Sequence, residues 1–569
     1  MRHSILGAVW QQLPADPDAC ARLTGDLGLA PLVARALVAR GITEAAHAQT
    51  YLRGGLHDLH DPSLMRDMSQ AVAALRRAID SRLPIRIYGD YDADGITATA
   101  LLVRALSALG ATVDYYLPHR IEEGYGLNAP AVEQAAREGV KLLVTVDCGI
   151  SDTAELERAR ALGLEVIVTD HHEPPPALPP AAAVLNPRRP DCPYPFKELS
   201  GVGVAYKLLA ALAADLGLRA GAEHAFLDLV AIGTIADVVP LTGENRLLVR
   251  HGLAALNQTR KCGIAALLRG ASITPPVTSR NIAFGLAPRL NAAGRLDHAR
   301  VAAALLLTSD PAEAARLAEH VSNLNAQRQE QERRVLESAQ ELIAAEVDLE
   351  RERLILLARE DWHPGVVGIV ASRLVERHHR PVVLIALDGG RAKGSARSIP
   401  GFHMYEALCR CSSLLDDFGG HALAAGLSVA PENVGSLRDQ LLAHAAATLG
   451  PEDLVPRTPF DAWAQLADLS LEVVAELDNL SPFGAGNPRP LIAIGDITVQ
   501  ARETCGGDHQ HLRLTFGDGA QSAHAIWFGG GHLADRIPPG AAVDVCAAPE
   551  IDEWNGRRAL SLRMCDLAL

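Results

Sequence analysis

Long apolar runs and a repeating cysteine pattern are both missing from this sequence. No stretch of about 18 uncharged apolar residues occurs, so no transmembrane helix is predicted. The first residues also lack the apolar core and the cleavage site of a signal peptide. The nine cysteines are odd in number and follow no framework, which excludes a disulfide-stapled fold and favours a reducing, cytoplasmic location. Cys409 and Cys411 have no second Cys or His pair at zinc-ligand spacing, so we expect ordinary thiols there.

Positive charge and aromatic rings are also scarce. The net charge is −15, which argues against a general polyanion binder because non-specific affinity for phosphates comes mainly from Lys and Arg. It leaves open a protein whose basic groups are gathered in one channel, and residues 280–300 contain four arginines against one aspartate. Aromatic residues make up 4% of the chain against 48% hydrophobic residues, which is typical of a globular protein with an aliphatic core.

A regular alternation of strand and helix patterns follows the first 64 residues. Apolar strand runs are separated by helical patterns of 10–15 residues, and this spacing indicates crossover units and a parallel sheet. The strand runs are almost continuously apolar, as expected when helices cover both faces of the sheet. We therefore predict a doubly wound α/β domain over residues 65–270, preceded by an N-terminal helical segment over residues 1–64.

The remaining residues predict three further parts. Residues 271–350 form a connecting segment whose stretch 311–346 is rich in strong helix formers, so we expect one long helix. Residues 351–454 predict a second, smaller α/β domain. From residue 455 to 569, short alternating strands between Gly-rich turns indicate a small β-barrel, and both OB-like and SH3-like barrels fit this pattern. A chain of 569 residues is long enough for about three or four domains.

Three carboxylates stand at a spacing of two, directly after a predicted strand. They are Asp90, Asp92 and Asp94 in the sequence GDYDADG. Acids so close together repel one another unless a cation lies between them. An EF-hand would need a Glu at loop position 12 and a preceding helix, but that position is Leu101 and a strand precedes. The run therefore predicts a different kind of metal site.

Further acids and two histidines follow other strands of the same domain. One strand runs into Asp147, and the next into Asp170, His171 and His172. In open parallel sheets ligands bind outside the carboxyl ends of the strands, so these side chains should share one edge. Asp237 is a lone acid in an apolar stretch and, taken alone, has the character of a helix cap or a surface residue. Oxygen donors with one or two imidazoles suit Mn²⁺ or Mg²⁺ better than zinc.

These motifs resemble those of the DHH phosphoesterase superfamily. GDYDADG, VTVDCG, TDHH and IGTIADVVPL are similar to its four successive motifs in order, spacing and strand context. The likeness extends through PHRIEEGYGLN, FGLAPRLNAAGRLDHA, KGSARSIPGF and FGGHALAAGL into the C-terminal barrel, and so over nearly the whole chain. This combination resembles the RecJ family of exonucleases. It implies a 5′→3′ exonuclease that degrades single-stranded DNA to 5′-mononucleotides by two-metal-ion hydrolysis, in DNA repair and recombination.

The resemblance also implies the metal ligands, and two ions of Mn²⁺ or Mg²⁺. Asp90 and Asp92 would hold one ion, Asp94, His171 and Asp237 the other, and Asp147 would bridge both, although the assignment of the three clustered aspartates to the two ions stays open. His172 would lie beside the scissile phosphate. The implied catalytic residues are therefore Asp92, Asp94, Asp147 and His172.

Binding of the 5′-terminal phosphate is implied for Arg120 and for Ser395 and Arg397, the last two in a KGSAR loop. An arginine fork suits a phosphate. An ion pair of Arg120 with Glu122 or Glu123 is the alternative. Gly419, Gly420 and His421 would allow a close backbone approach to the substrate. Arg289, Asn291 and Arg295 would line the path of the strand, and Tyr125 is the best-placed aromatic for base stacking.

Two other functions stay open at this point. One is a DHH phosphodiesterase of short oligonucleotides or cyclic dinucleotides, although such relatives need only the two α/β domains. The other is a non-catalytic scaffold that binds single strands, which the intact acids and histidines disfavour. The partners implied are single-stranded DNA with a 5′-phosphate end, together with a single-strand-binding protein and a helicase. No membrane is involved, nothing in the sequence predicts an obligate oligomer, and an OB-like barrel would extend the binding track.

Overall fold

The computed structural model describes residues 3–388, 390–554 and 557–569. The chain forms two compact units. One comprises Met1–Leu52, Glu330–Ser481 and Arg489–Leu569, and the other comprises Arg53–Gln329 and Pro482–Pro488. None of the helices in the described ranges combines the length and the apolar character that crossing a membrane requires.

The regular elements are numbered in chain order. The strands are β1 (Val9–Gln12), β2 (Ile85–Gly89), β3 (Val113–Tyr116), β4 (Leu142–Val146), β5 (Glu165–Thr169), β6 (Ala183–Leu185), β7 (Ile355–Arg359), β8 (Val382–Asp388), β9 (Arg391–Arg397), β10 (Leu415–Gly420), β11 (Ala424–Val429), β12 (Arg457–Phe460), β13 (Ala462–Ala464), β14 (Ile492–Cys505), β15 (His511–Gly517), β16 (Ser522–Trp527), β17 (Ala542–Trp554) and β18 (Arg557–Ala568). The helices are α1 (Pro17–Leu27), α2 (Pro31–Ala39), α3 (Ala45–Arg53), α4 (Met68–Asp80), α5 (Ala93–Ala108), α6 (Ala129–Arg137), α7 (Thr153–Ala161), α8 (Gly201–Asp215), α9 (Leu227–Ala236), α10 (Gly243–Leu256), α11 (Cys262–Gly270), α12 (Ser279–Asn281), α13 (Ala287–Leu296), α14 (Arg300–Leu307), α15 (Pro311–Glu346), α16 (Pro364–His378), α17 (Met404–Arg410), α18 (Val434–Thr448) and α19 (Leu471–Asp478).

A parallel five-stranded sheet of order β3-β2-β4-β5-β6 forms the centre of the unit that contains Arg53–Gln329. Helices α6 and α7 pack with apolar side chains of one face, while α4, α5 and α8 pack on the other. The strands β2 and β4 are buried along their whole length because both faces are covered. The predicted doubly wound α/β domain is therefore confirmed, as is the single long helix over 311–346.

The second sheet, of order β10-β11-β9-β8-β7, is mixed and lies in the other unit. β7 and β8 are parallel and are joined through α16, as predicted, whereas β8, β9, β11 and β10 are antiparallel neighbours. The prediction that KGSAR is a loop was wrong, because Lys393–Arg397 belong to the central strand β9. Strand pairing on both sides satisfies its backbone groups, and the side chains of Ile385 and Leu427 fill the space beside Gly394.

The C-terminal strands close into a five-stranded barrel, β14-β15-β16-β18-β17, in which β14 also pairs with β17. The predicted OB-like barrel is confirmed, and β13 adds to it beside β14 in parallel. The strand β1 near the start of the chain pairs in parallel with β12, and the Trp10 indole N–H donates to Asp566 Oδ2 at 2.8 Å. The N-terminal helices α1–α3 were expected, whereas β1 was not, because its pairing partner lies more than 400 residues away in the sequence.

Candidate metal centre and substrate site

The predicted metal ligands converge at the carboxyl edge of the parallel sheet. Asp90 follows β2, Asp147 follows β4, and His171 follows β5 within one residue. Asp237 lies directly after α9 and reaches the same group. Four positions far apart in the sequence are therefore brought together by the strand order of the sheet.

The potential ligand atoms fall into three groups, and the atoms within each group lie within 4.8 Å of one another. The first contains Asp90, Asp92 and Asp147, and the second contains Asp94, His171 and Asp237; the third joins Asp147, His171 and His172. His171 Nε2 lies 3.1 Å from Asp147 Oδ1 and 3.5 Å from Asp237 Oδ2. Asp147 thus stands between two potential ion sites.

The electrostatics of this cluster call for a cation. Burial, followed by repulsion from the neighbouring aspartates, raises the pKa of Asp90, Asp147 and Asp237 well above the ordinary value, and raises that of Asp94 to about 7. Asp90 Oδ1 and Asp147 Oδ1 are buried and have no hydrogen-bond partner among the described residues. Oxygen donors with an imidazole are the ligands that Mn²⁺ and Mg²⁺ take in proteins, so these side chains fit such ions.

Asp147 has an unusual backbone conformation and a tightly fitted neighbour. Its φ of 64° lies in the left-handed region, which a non-glycine residue adopts at some cost and which is often found at functional sites. The N-terminus of α8 approaches it so closely that a Cβ on Gly201 would lie 2.5 Å from Asp147 Oδ1. Similarly, a Cβ on Gly233 of α9 would lie 2.7 Å from Asp94 Oδ1. Glycine at these two positions lets the helices reach the carboxylates.

Two of the clustered aspartates also hold helix N-termini. Asp94 Oδ2 accepts the backbone N–H of Gly201 at 2.7 Å, and Oδ1 accepts that of Val202 at 2.9 Å, so Asp94 binds the first residues of α8. Asp92 Oδ1 accepts the backbone N–H of Asp94 at 2.9 Å and caps α5. Positive helix ends thereby hold both carboxylates in fixed orientations.

Asp170 orients the histidine pair, a role that the sequence reasoning missed. Its Oδ1 accepts the backbone N–H groups of His171 at 2.7 Å and His172 at 3.1 Å, and lies 2.8 Å from His172 Nδ1. Burial acts to raise the pKa of Asp170, but these hydrogen bonds hold it below its ordinary value. The Nδ1–H of His172 therefore points at Asp170. Nearby, the Tyr125 hydroxyl donates a hydrogen bond to the backbone carbonyl of Asp147 at 3.2 Å. The position of Asp170 directly before two histidines was the available signal.

Arg120 lies beside the aspartate loop. Its guanidinium carbon is 4.7 Å from the centre of the Tyr91 ring, a cation–π contact. Glu123 accepts hydrogen bonds from the Tyr116 hydroxyl and the His119 backbone N–H, and in the described part of the chain neither Glu122 nor Glu123 forms an ion pair with Arg120. The ion-pair alternative is therefore not seen among the described residues, and phosphate binding by Arg120 stays a prediction.

The helix α13 supports the same loop. Asn291 Oδ1 accepts the backbone N–H of Ala93 at 2.8 Å, so Asn291 fixes the start of α5. Arg289 donates to the carbonyl of Gly285 at 2.7 Å and is half-buried. Burial raises the pKa of the Tyr91 phenol, and Arg295 lies close enough for its charge to oppose that rise. Arg289 and Asn291 thus have protein partners of their own.

The other predicted substrate residues lie on the mixed sheet of the other unit. Arg397 Nη1 donates to Ser395 Oγ at 3.0 Å, and α16 approaches both residues so closely that a Cβ on Gly368 would lie 2.8 Å from Ser395 Oγ. In the strand register Ser395 lies opposite Gly426, and Gly426 lies opposite Gly419. No described atom lies within 4 Å of the Cβ positions of these two glycines, so the sheet is bare beside Ser395.

Gly420 is the last residue of β10, and His421 follows it. Gly420 has a φ of 140°, and a Cβ there would lie 2.4 Å from the Ala424 carbonyl oxygen, so its role includes the tight turn to β11. The backbone N–H of His421 donates to Ala424 O at 2.8 Å, and the side chain is exposed.

Comparison with known proteins follows the same division of the chain. The model for the DHH family, N-terminal domain, matches residues 84–234, the DHHA1 domain model matches 341–447, and the RecJ OB domain model matches 460–566. The single-stranded-DNA-specific exonuclease RecJ of Bacillus subtilis (strain 168) is 40% identical over 565 residues, which is 98% of this chain and 71% of that protein. The chain belongs to the RecJ family. The family resemblance inferred from the motifs is thereby confirmed.

Solved RecJ structures agree with this assignment. RecJ from Thermus thermophilus in complex with Mn²⁺ has a TM-score of 0.85 and 35% identity, covering 98% of this chain and 79% of that chain. The Mg²⁺ complex from the same organism has a TM-score of 0.79 and 33% identity, covering 99% and 78%. The RecJ fold therefore accounts for nearly all of the chain.

Proposed function

We propose that this protein is a metal-dependent 5′→3′ exonuclease that degrades single-stranded DNA to 5′-mononucleotides, in DNA repair and recombination. The observation that carries the proposal is the convergence of five carboxylates, Asp147 among them, and two imidazoles at the carboxyl edge of the sheet. The B. subtilis relative is named a single-stranded-DNA-specific exonuclease, which supports the substrate class.

Two ions of Mn²⁺ or Mg²⁺ would be held in this cluster. Asp90 and Asp92 would bind one, Asp94, His171 and Asp237 the other, and Asp147 both; the grouping of the ligand atoms supports this division. The Mn²⁺ and Mg²⁺ complexes of T. thermophilus RecJ support the choice of ions. When bound, two such ions stabilise the attacking and leaving oxygens of an in-line phosphodiester hydrolysis.

The side chains around the ions would orient the substrate and offset charge. Backbone hydrogen bonds hold Asp92 and Asp94 in fixed positions, so these two carboxylates would not need to reorganise during the reaction. His172 would donate a hydrogen bond to the phosphoryl oxygen as negative charge builds there. The bond from Nδ1 to Asp170 leaves Nε2 as the nitrogen for this task.

Arg120, Ser395 and Arg397 would bind the 5′-terminal phosphate. The two arginines supply charge-assisted hydrogen-bond donors. Ser395 lies beside Gly426 and Gly419, which leave this strip of the sheet free of side chains. A nucleic-acid backbone can approach such a strip closely, and His421 lies exposed near its end. Recognition of a terminal phosphate would make cleavage start at the 5′ end and proceed one nucleotide at a time.

The path of the strand beyond the first nucleotide would use fewer residues than the sequence suggested. Arg295 and Tyr125 keep the proposed role of contacting the strand, while Arg289 and Asn291 would act by holding α13 and the aspartate loop. On the barrel, the Phe528 side chain is 55% exposed and meets the His511 ring edge-on at 5.2 Å. Such a platform suits base stacking.

The test is cleavage of a 5′-phosphorylated single strand that carries a fluorophore at its 3′ end, with Mn²⁺ present. Mononucleotide release from the 5′ end is expected, with the labelled strand shortening stepwise. A blunt duplex and a dinucleotide serve as comparison substrates, and a chelator as the blank. Release from the 3′ end, internal cuts, or turnover of the dinucleotide alone would contradict the proposal. Binding without cleavage would favour the scaffold alternative.

A further inference from the structure

The short segment Pro482–Pro488 belongs to the unit of the parallel sheet, although the chain before and after it belongs to the other unit. It connects α19 to β14 and has the sequence PFGAGNP. Gly484 and Asn487 exchange backbone hydrogen bonds of 3.0 and 3.2 Å, and the fully buried Asn487 side chain donates to the Pro482 carbonyl at 2.8 Å. These bonds make the segment a rigid turn and not a slack linker.

This turn packs against the residues that follow Asp237. The Ala485 carbonyl accepts the backbone N–H of Leu241 at 2.7 Å. Gly486 has a φ of 66°, and a Cβ there would lie 2.8 Å from Pro240 Cβ and 3.1 Å from its Cα. A Cβ on Gly484 would lie 2.7 Å from Leu241 Cδ1. No room is left between the two turns, so a displacement of one must displace the other.

The turn after Asp237 needs such support because its own conformation is unfavourable. Val238 is β-branched, has a φ of 61° and is 69% exposed, so neither local preference nor burial of its side chain holds it there. One further support comes from Asn245 of α10, whose side chain donates to the Pro240 carbonyl at 3.1 Å. The carboxylate of Asp237 is a predicted metal ligand only one residue away from this strained position.

We propose that Pro482–Pro488 is a latch that positions Asp237 for metal binding by holding the turn Val238–Thr242. A second contact extends its reach, because the Ser279 hydroxyl donates to the Phe483 carbonyl at 2.6 Å. Ser279 begins the helical stretch that continues into α13, whose Asn291 fixes the aspartate loop through Ala93. The inference rests on the proposed function, since it assigns a role to residues remote from the ligands only if Asp237 binds a metal.

The experiment uses the full-length protein and titrates Mn²⁺ by calorimetry without DNA. Gly486→Ala adds a Cβ against Pro240, so the affinity of one of the two Mn²⁺ ions should fall by about tenfold. Binding of single-stranded DNA in the presence of a chelator should stay within twofold of the wild type. Because positioning and not chemistry is lost, saturating Mn²⁺ should restore most of the cleavage rate.

Gly519→Ala is the matched control, because Gly519 also has a positive φ, 92°, but no described atom lies within 4 Å of its Cβ position. Its Mn²⁺ isotherm should match that of the wild type. Ser279→Ala removes one hydroxyl and should weaken the same ion in the same direction, which keeps the test available if Gly486→Ala does not fold.

Asp237→Ala separates the latch from the metal assignment. If Asp237→Ala weakens Mn²⁺ binding while Gly486→Ala and Ser279→Ala leave the isotherm unchanged, the latch is refuted and the metal site stands. If Asp237→Ala also has a wild-type isotherm, both the ligand assignment and the latch are wrong. Weaker binding by Asp237→Ala and Gly486→Ala, with an unchanged Gly519→Ala protein, supports both.

Discussion

Replacing Asp147 with asparagine should inactivate the protein and, without metal, stabilise it. Asn has nearly the same shape as Asp and tolerates the left-handed conformation that position 147 adopts. The substitution removes one negative charge from a buried cluster in which the aspartates repel one another. Asp147 Oδ1 accepts no hydrogen bond from the described residues, and the His171 imidazole 3.1 Å away is uncharged because burial lowers its pKa to about 3, so little is lost in the metal-free state.

The size of the effect follows from the raised pKa values. Each unit by which burial and repulsion raise the pKa of a carboxyl destabilises the folded, ionised form by about 1.4 kcal/mol. Removing one such charge should raise the free energy of unfolding by about 1–3 kcal/mol, a range that allows for partial protonation of the cluster in the wild type. For a unit of this size each kcal/mol shifts Tm by roughly 2–4 °C, so we expect an increase of about 2–12 °C.

The assay is thermal unfolding with and without Mn²⁺, alongside cleavage of a single strand. Mn²⁺ at about one hundred times its Kd should stabilise the wild type by about 2.7 kcal/mol and the variant much less. Loss of a bridging ligand should cost several kcal/mol of transition-state stabilisation, which is about a thousandfold in rate or more.

Asp170→Asn is the control, because its metal-free Tm should change in the opposite direction. Asp170 is equally buried but accepts the backbone N–H groups of Ile150, His171 and His172, and an amide NH₂ would face one of these donors. Its metal-free Tm should fall, because leaving a buried donor unpaired costs about 1–3 kcal/mol. A metal-free Tm for Asp147→Asn that falls as far as that of Asp170→Asn, or normal turnover by the folded Asp147→Asn protein, would refute the reasoning.

Four further results are expected. Because the pKa of Asp94 is raised to about 7, the metal-free cluster holds protons below that pH, and Mn²⁺ affinity should increase from pH 6 to pH 8. Calorimetry in two buffers should detect the release of protons when Mn²⁺ binds. Equal Mn²⁺ affinity at pH 6 and pH 8 would contradict this. Arg397→Ala should reduce the preference for a 5′-phosphate over a 5′-hydroxyl by roughly tenfold to a hundredfold, and an unchanged ratio of the two cleavage rates would remove Arg397 from the pocket. Phe528→Ala should weaken binding of a long single strand by about 1–3 kcal/mol and leave cleavage of a trinucleotide intact, whereas equal losses on both would exclude remote stacking. Lys207→Met leaves the buried Glu244 without the ammonium that lies 2.6 Å from its carboxylate, and should lower the free energy of unfolding by about 3–5 kcal/mol in a urea titration; a loss below about 1 kcal/mol would mean that water or rearrangement replaces the pair.

The parallel sheet and most of the metal cluster could be predicted because their signals are local. A buried strand followed at once by Asp90 or Asp147 places a carboxylate at a sheet edge, whatever the rest of the chain does. Asp237 follows a helix and not a strand, so only the family resemblance connected it with the others. The orientation of His172 by Asp170 depends on side-chain geometry that spacing does not contain.

Other features depend on contacts between distant residues and escaped prediction for that reason. The KGSAR run contains glycine and charged residues, which disfavour a strand locally, but the pairing of β9 on both sides outweighs this preference. The run PFGAGNP has the composition of any exposed turn, and only its docking against Leu241 distinguishes it. The pairing of β1 with β12 likewise joins residues more than 400 positions apart in the sequence.

Because Asp94 also holds α8 by hydrogen bonds, the metal-site residues should differ in how readily evolution can replace them once cleavage is no longer selected. Asp147 contributes mainly repulsion when no ion is bound, so a lineage released from selection for cleavage could replace it at no cost in stability. Asp94 holds the first two residues of α8 and Asp170 holds three backbone N–H groups, so their replacement would weaken the folded scaffold. Inactive relatives that survive as binding proteins should therefore have lost the residue equivalent to Asp147 early and have kept those equivalent to Asp94 and Asp170.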